Sequence, residues 1–420
     1  MAWSALAVFG LSYVFISGGR LPGTGLDRVG GALAGAVAMV ALGVVPAREV
    51  VGAGTAAAVD WDTLLLLLGM LVLSTALLED GSMDGLAARL LARARTPRAL
   101  LAAVCVASAV LSAFLVNDTV CLVLTPLVLA AVRRAALPPL PYLLAVCMGA
   151  NAGSVATFTG NPQNMIIQVA SGLPYARWAA VMTLPALVAT ATVAVLLDAG
   201  FRRELDGRAV AAAAPGLPPR TGPAPWVPTA WILGGVVAAF FAGLPLGWSA
   251  LGGAAVVLAV RKGPSRALLQ RVDFVLLLFF ASLFVLVHGL HRAGWADRAL
   301  QAAAPWLSGG AASSQALAFS ALSFAASNIF SNVPYVMLAR HWVPQLEDPL
   351  MGWHLLGLAS TLAGNLTLVG SVANLIVFEL AREDVEVTFW GYARVGIPVT
   401  LASLAAALGV LLAERALHLF

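Results

Sequence analysis

Four short stretches gather amide and hydroxyl side chains inside a chain of 420 residues that is 60% hydrophobic: "NDTVCLVLTP" (117–126), "TFTGNPQNMII" (157–167), "SNIFSNVP" (327–334) and "GNLTLVGSVANLIV" (364–377). They hold Asn117, Thr119, Thr159, Asn161, Gln163, Asn164, Ser331, Asn332, Asn365, Thr367, Ser371 and Asn374, interleaved with Gly160, Gly364 and Gly370. A carboxamide both donates and accepts, so it can complete the shell of a cation or of a polar solute without bringing charge. The bland alternative is that these side chains only tie helices together by hydrogen bonds. Asp118 is different, because insertion scales charge ~2.5 to 3.5 kcal/mol for an aspartate at the centre of a membrane helix. Such a cost points to a use, and taking up and releasing a proton is the use that fits. Against it stands simple capping, in which Asp118 accepts backbone amides at a helix start.

Other chemistries lack their residues. No nucleophile is paired with a base, no second deep acid partners Asp118, and no phosphate-cradling glycine loop carries a lysine, so the chain reads as neither an enzyme nor an ATP-driven pump. Cys105, Cys121 and Cys147 fall in apolar stretches at spacings that suit neither a disulfide framework nor a metal site, and they read as packing residues. Asp60, Asp62 and Asp273 begin apolar runs and read as caps or anchors. His288, His291 and His354 lie at span ends as interfacial anchors, and Trp231, Trp248, Trp295, Trp306, Trp342 and Trp353 fit an aromatic belt.

The elements that must position these residues follow from composition. A mean hydropathy of +0.92 with 10% charged residues makes this an all-α polytopic membrane protein. Apolar runs start near Ala2, Gly30, Thr63, Leu143, Ala179, Thr229, Ser249, Phe274, His354 and Val395, about ten transmembrane helices in all. The first run reads as a retained helix, not a signal peptide. Two further segments, 98–134 and 313–340, read as re-entrant hairpins whose polar tips stop near mid-depth. In the first, Asn117–Thr119 divides two arms, and the second arm, Val120–Val132, would cover about 20 Å. Gly153, Gly160 and Pro162 break one spanning segment into half-helices; Gly364 and Gly370 break another.

The chain repeats itself. Asp60 aligns with Asp273, Gly81 and Asp84 with Gly294 and Asp297, and Asn117 with Asn332. "AGSVATFTGNPQNMII" (152–167) lies over "AGNLTLVGSVANLIV" (363–377) with one gap. Residues 1–201 thus form a first repeat, 227–420 a second, and 202–226 a Pro- and Gly-rich linker with little fixed structure. If each hairpin returns to its starting side, 18 of the 24 basic residues share one face. The positive-inside rule then makes the repeats inverted, the linker cytoplasmic and both termini external, in the cell's inner (plasma) membrane. Net charge of +4 reflects basic loops beside the bilayer, not a nucleic-acid surface. Inverted repeats with broken helices at matching positions mark a secondary transporter whose site lies where the halves meet. A channel is the alternative from another class.

The four quoted stretches resemble the hairpin tips and broken helices of the ion transporter superfamily, which includes citrate-transporter-like permeases, sodium-coupled dicarboxylate carriers, arsenite-efflux permeases and one class of sodium/proton antiporters. The resemblance implies a transport unit holding both hairpins that slides against a scaffold, with a homodimer as a frequent assembly and, for the arsenite branch, a separate ATPase subunit. It implies no resident cofactor. The expected coupling ion is H+ or Na+, with Na+ sites expected, if sodium is used, at Asn117/Asn161 and Asn332/Asn365; no metal site is otherwise expected. Dicarboxylate carriers place Ser-Asn-Thr at both tips, whereas this chain has Val116-Asn117-Asp118 and Ser331-Asn332-Val333. The Asn-Asp start is similar to the arsenite-efflux branch, whose substrate is a neutral trihydroxide; "GNPQN" is similar to the citrate-transporter-like permeases. The expected function is gradient-coupled movement of a small anion or oxyanion-type solute, with arsenite or antimonite efflux first, and sodium-coupled citrate or dicarboxylate symport or sodium/proton antiport as alternatives.

Overall fold

The computed structural model describes residues 2–18, 25–52, 57–81, 94–206, 228–307 and 312–420, and these are helical with short connections. Local sequence sets the helix ends. Asp60 and Asp273, equivalent in the repeat, each accept a hydrogen bond from the backbone N–H three residues on, Thr63 at 3.1 Å and Leu276 at 3.0 Å. Each caps a long apolar helix, α3 (Trp61–Asp80) and α11 (Phe274–Arg292). Gly81 and Gly294, also equivalent, both take left-handed backbone angles just beyond those helices, φ 73° and 75°. Asp84 lies outside the described residues.

The helices fall into two sets by what they touch. A flanking set contains α1 (Ala2–Gly18), α2 (Arg28–Ala41), α3, α9 (Pro228–Phe241), α10 (Leu246–Val260) and α11, with α12 (Trp295–Leu307) beside it. A central set contains α4 (Pro97–Phe114), α5 (Asn117–Arg134), α6 (Pro139–Ser154), α7 (Pro162–Ser171) and α8 (Tyr175–Gly200). Its later members are α13 (Ala312–Phe330), α14 (Asn332–Ala339), α15 (Pro349–Ala363), α16 (Val372–Leu380) and α17 (Phe389–Ala416). Contacts within each set are extensive. Between them they are sparser, mainly α3 on α7, α11 on α14 and α12 on α13. In the central set α4 lies along α6 so closely that a side chain at Gly149 or Gly153 would strike the backbone of Cys105 or Ala109, the work of small residues four apart.

Five described helices are long and apolar enough to cross a bilayer: α3, α4, α8, α11 and α17. Four others, in α1, α2, α9 and α10, are apolar but shorter. The runs expected near Leu143 and His354 are also short, at 16 and 15 residues, because α6 and α15 stop at the central breaks.

Both hairpin positions are helix–break–helix, with two corrections. The first break lies at Leu115–Val116, not Asn117–Thr119, and α5 runs 18 residues to Arg134, about 27 Å rather than 20 Å. Asn117 and Asp118 enter the first turn because Asn117 Oδ1 accepts from the Asp118 N–H at 3.0 Å, so Asp118 is not the cap. The second break is the single residue Ser331, held at φ 61°, where a side chain is strained. Its following arm, α14, has only eight residues. Gly153 lies inside α6 and serves close packing; the first broken segment parts at residues 155–161.

Several side-chain placements also differ from expectation. Trp231, Trp248 and Trp306 are exposed as a belt requires, but Trp342 and Trp353 are buried. His354 is wholly buried, stacked on Trp178 with ring centroids 5.1 Å apart, and is no interfacial anchor. The three cysteines are free and buried. Of the linker, residues 202–206 are described and include a short helix, Arg202–Leu205; 207–227 lie outside the described residues.

Candidate functional site

The two broken segments meet in the middle of the central set through neutral side chains. In the first, α6 ends at Ser154, a 3-10 turn spans Phe158–Gly160, and α7 starts at Pro162. In the second, α15 ends at Ala363, a 3-10 turn spans Leu368–Gly370, and α16 starts at Val372. Each break frees carbonyls, and an asparagine from the following half-helix collects them. Asn164 Nδ2 donates to the carbonyls of Ser154 and Thr157 at 3.0 and 2.9 Å. Asn374 Nδ2 donates to those of Gly364 and Thr367 at 2.8 and 3.0 Å. The offset is 210 residues at all three positions. It also relates Gly160 and Gly370, where a side chain would strike the carbonyl oxygens of Ser154 and Gly364. The gap placed in the sequence alignment of these stretches is therefore absent from the structure.

Bonds between the halves obey the same offset. Asn161 Nδ2 donates to Thr361 Oγ1 at 3.2 Å, and Ser371 Oγ donates to Asn151 Oδ1 at 3.3 Å; 161 and 371 are equivalent, as are 151 and 361. Gln163 Nε2 adds a second bond to Thr361 Oγ1 at 3.3 Å. Asn151 is the hub. Its Oδ1 accepts from Asn117 Nδ2 at 2.8 Å, and its Nδ2 donates to Asn365 Oδ1 at 2.8 Å and Asn374 Oδ1 at 3.4 Å. Asn117 and Asn365 thus share Asn151 as partner. The pairs Asn117/Asn161 and Asn332/Asn365 are not hydrogen-bonded to each other.

This lattice is closed. Asn151, Asn161, Asn164, Asn365 and Asn374 are 0–2% exposed, and Thr159 is buried with its hydroxyl 3.1 Å from that of Tyr175. Space for a solute lies beside the lattice, at the boundary with the flanking set. One cavity of about 370 Å³ reaches the first tip at Val116, Asp118 and Thr119, with Glu79 of α3, Arg271 and Asp273 facing them and Val372 of α16 at its edge. A second, about 280 Å³, reaches the second tip at Ser327, Asn328 and Ser331 and the break at Gly370, opposite Tyr13, Arg28 and Asp273. Asp273, Leu276 and Val372 line both. Of the residues expected at a site, Asp118, Thr119, Ser331 and Gly370 line open space. Asn117, Thr159, Gly160, Asn161, Gln163, Asn164, Gly364, Asn365 and Asn374 line neither cavity, nor do Asn332, Thr367 and Ser371.

Asp118 does not face its cavity as an isolated acid. Asp273 and Glu79 line the same space, and Arg271, the one cation there, bonds Glu79 at 3.0 Å; Glu79 also pairs with Arg261. Glu79 is thus matched by arginines, which leaves Asp118 and Asp273 as the other acids of the lining. Sequence reasoning missed Asn151, Thr361 and Asp273 as members. Asn151 stands alone in the apolar run "AVCMGANAGS", and only the constant 210-residue offset, which puts it on Thr361, could have drawn notice.

With this geometry, comparison with known proteins is decisive at family level, because the citrate transporter profile, CitMHS, matches residues 13–363. The chain belongs to the CitMHS citrate transporter family. As a member of that family it is also similar over nearly its full length to the silicon efflux transporter LSI3 of Oryza sativa subsp. japonica, 30% identical over 94% of each chain. The putative transporter arsB of Dictyostelium discoideum is 27% identical over 94% of this chain and 89% of its own. Among solved structures, the YdaH transporter of Alcanivorax borkumensis, described as having an unusual topology, superposes with a TM-score of 0.61 at 16% identity, covering 99% of this chain and 97% of the other. That likeness bears on the fold. The family places the chain among multi-pass membrane transporters.

Proposed function

We propose that this transporter is a gradient-coupled permease for a small, neutral, polyhydroxylated solute such as the trihydroxides of arsenic and antimony or silicic acid, which it moves by alternating access in exchange for protons. The observation that carries the reading is the cavity at the first tip, where Asp118 and Asp273 share a lining whose one arginine is already bonded to Glu79. Such a lining repels a di- or trianion at close range. A neutral hydroxide pays no such penalty and can bond to acids, to Thr119 and to Thr75 on the facing wall. Asp118 carries the coupling proton. In this reading residues 1–201 and 227–420 are inverted repeats joined by a cytoplasmic linker in the inner membrane, an arrangement suited to exchange between two faces. The name of the rice relative, a silicon efflux transporter, agrees with efflux of such a solute.

A second reading is sodium-coupled citrate symport, favoured by the family's own description. Purified protein in liposomes separates the two when offered arsenite, silicic acid and citrate in turn under imposed proton or sodium gradients. Arsenite or silicic acid flux that follows the proton gradient is the expected result. Sodium-driven citrate uptake with neither hydroxide moving would overturn the proposal.

A further inference from the structure

The two cavities lie at one end of the boundary between the two helix sets, crossed there by the Tyr13 hydroxyl donating to the Ile329 carbonyl at 2.5 Å, and the other end is fastened by an ion pair and stacked rings. Helices α3 and α11 show this, since each has one end at each place. At the cavity end lie Glu79 at the close of α3 and Asp273 at the start of α11. At the far end lie Asp60 before α3 and His291 near the close of α11. There Arg340, which follows α14 in the central set, pairs with Asp60 at 3.6 Å and lies over the ring of Phe284 of α11, 5.8 Å from its centroid. His341 stacks on His291 with ring centroids 4.1 Å apart and planes 10° from parallel. Trp342 Nε1 donates to the Ala296 carbonyl at 3.1 Å. Three consecutive central-set residues thus grip the flanking set at one end. The contrast between equivalent residues is the telling point: Asp60 and Asp273 cap their helices alike, yet one is closed over by an arginine and the other lines both cavities.

We infer that Asp60 and Arg340, backed by the His291–His341 stack, form a latch that holds the site open toward the Asp273 face and must part before it can open toward the Asp60 face. The inference rests on the alternating-access reading, but its test needs no substrate.

Leu122 lines the first cavity and is 45% exposed, whereas Cys105, Cys121 and Cys147 are 0% exposed, so Leu122→Cys gives a single accessible thiol. In membrane vesicles of each orientation, a charged maleimide should label it from the Asp273 face. Asp60→Asn, which keeps the cap, and independently Arg340→Gln should each raise labelling from the Asp60 face on the order of tenfold. Glu49→Gln is the control: Glu49 lies at the same end but, among the described residues, its side chain bonds His288 and Arg292 of α11 and nothing in the central set, and it should leave the ratio unchanged. Labelling that stays one-sided in both latch variants, or shifts equally in the control, overturns the latch; a reporter silent from both faces overturns the open cavity beneath it. If the labelling shifts while no solute is transported, the latch stands and the proposed function falls.

Discussion

Asp118 and Asn151 stand for two kinds of polar residue in this protein, one open to a cavity and one locked in a lattice. Their substitution should separate the roles. Asp118→Asn keeps size and hydrogen bonding but removes the titrating proton. Solute exchange without a pH gradient should survive in it, while gradient-driven accumulation falls at least about tenfold, as expected when the coupling group is lost. Undiminished pH-driven transport would end the coupling role. Asn151→Ala strands partners on Asn117, Asn365, Asn374 and Ser371, and buried groups left unsatisfied cost about 1–3 kcal/mol. A clear fall in thermal unfolding midpoint in detergent is expected, and an unchanged midpoint would show that the hub contributes nothing. Sequence alone marked Asp118 because an acid among apolar residues is conspicuous. It passed over Asn151 because one amide in a helix is ordinary, and its meaning comes from four partners far away in the chain.

The helices themselves were largely legible, and the reasons are local. Asp60, Asp273, Gly81 and Gly294 announce helix ends by capping and left-handed backbone, and those positions recur in register. Break positions were harder to read. The polar triplet Asn117-Asp118-Thr119 drew the first break onto itself, yet an asparagine that bonds the next N–H can open a helix as readily as interrupt one, and the chain actually turns at apolar Leu115–Val116. Between α2 and α3, outside the spans, Glu49 receives His288 at 2.9 Å and Arg292 at 2.6 Å. Those bonds, the histidine's first, hold its carboxyl below the usual glutamate value. A depressed folded-state value means that this stabilisation is present above the ordinary glutamate value of 4.5 and is lost as pH falls below it. Thermal unfolding followed from pH 6 down to about 3 should show an acid-side decline that Glu49→Gln makes shallower. Parallel profiles would exclude this cluster as its source.

At the scale of the whole molecule, the two cavities lie where two internally well-packed helix sets meet along a thin boundary. Composition announced a polytopic membrane protein, but the division into sets depends on which apolar faces choose one another, and hydropathy does not encode that choice. If the sets move relative to each other, bridging the boundary should stop transport. With the native cysteines replaced by serine, Thr75→Cys on the flanking wall and Leu122→Cys on the central wall of one cavity should be joined by a bifunctional thiol reagent. Flux should stop on joining and return once a reducible bridge is cleaved. Continued flux across an intact bridge would rule out relative movement there.

The clasp between the broken segments is made wholly of amides and alcohols: Asn117, Asn151, Asn161, Gln163, Thr361, Asn365, Ser371 and Asn374. Such groups neither gain nor lose protons across the biological range. The cohesion of the central body is thereby insulated from the acidity difference that would drive it, and an engine fuelled by protons keeps its stiffness however hard it is run.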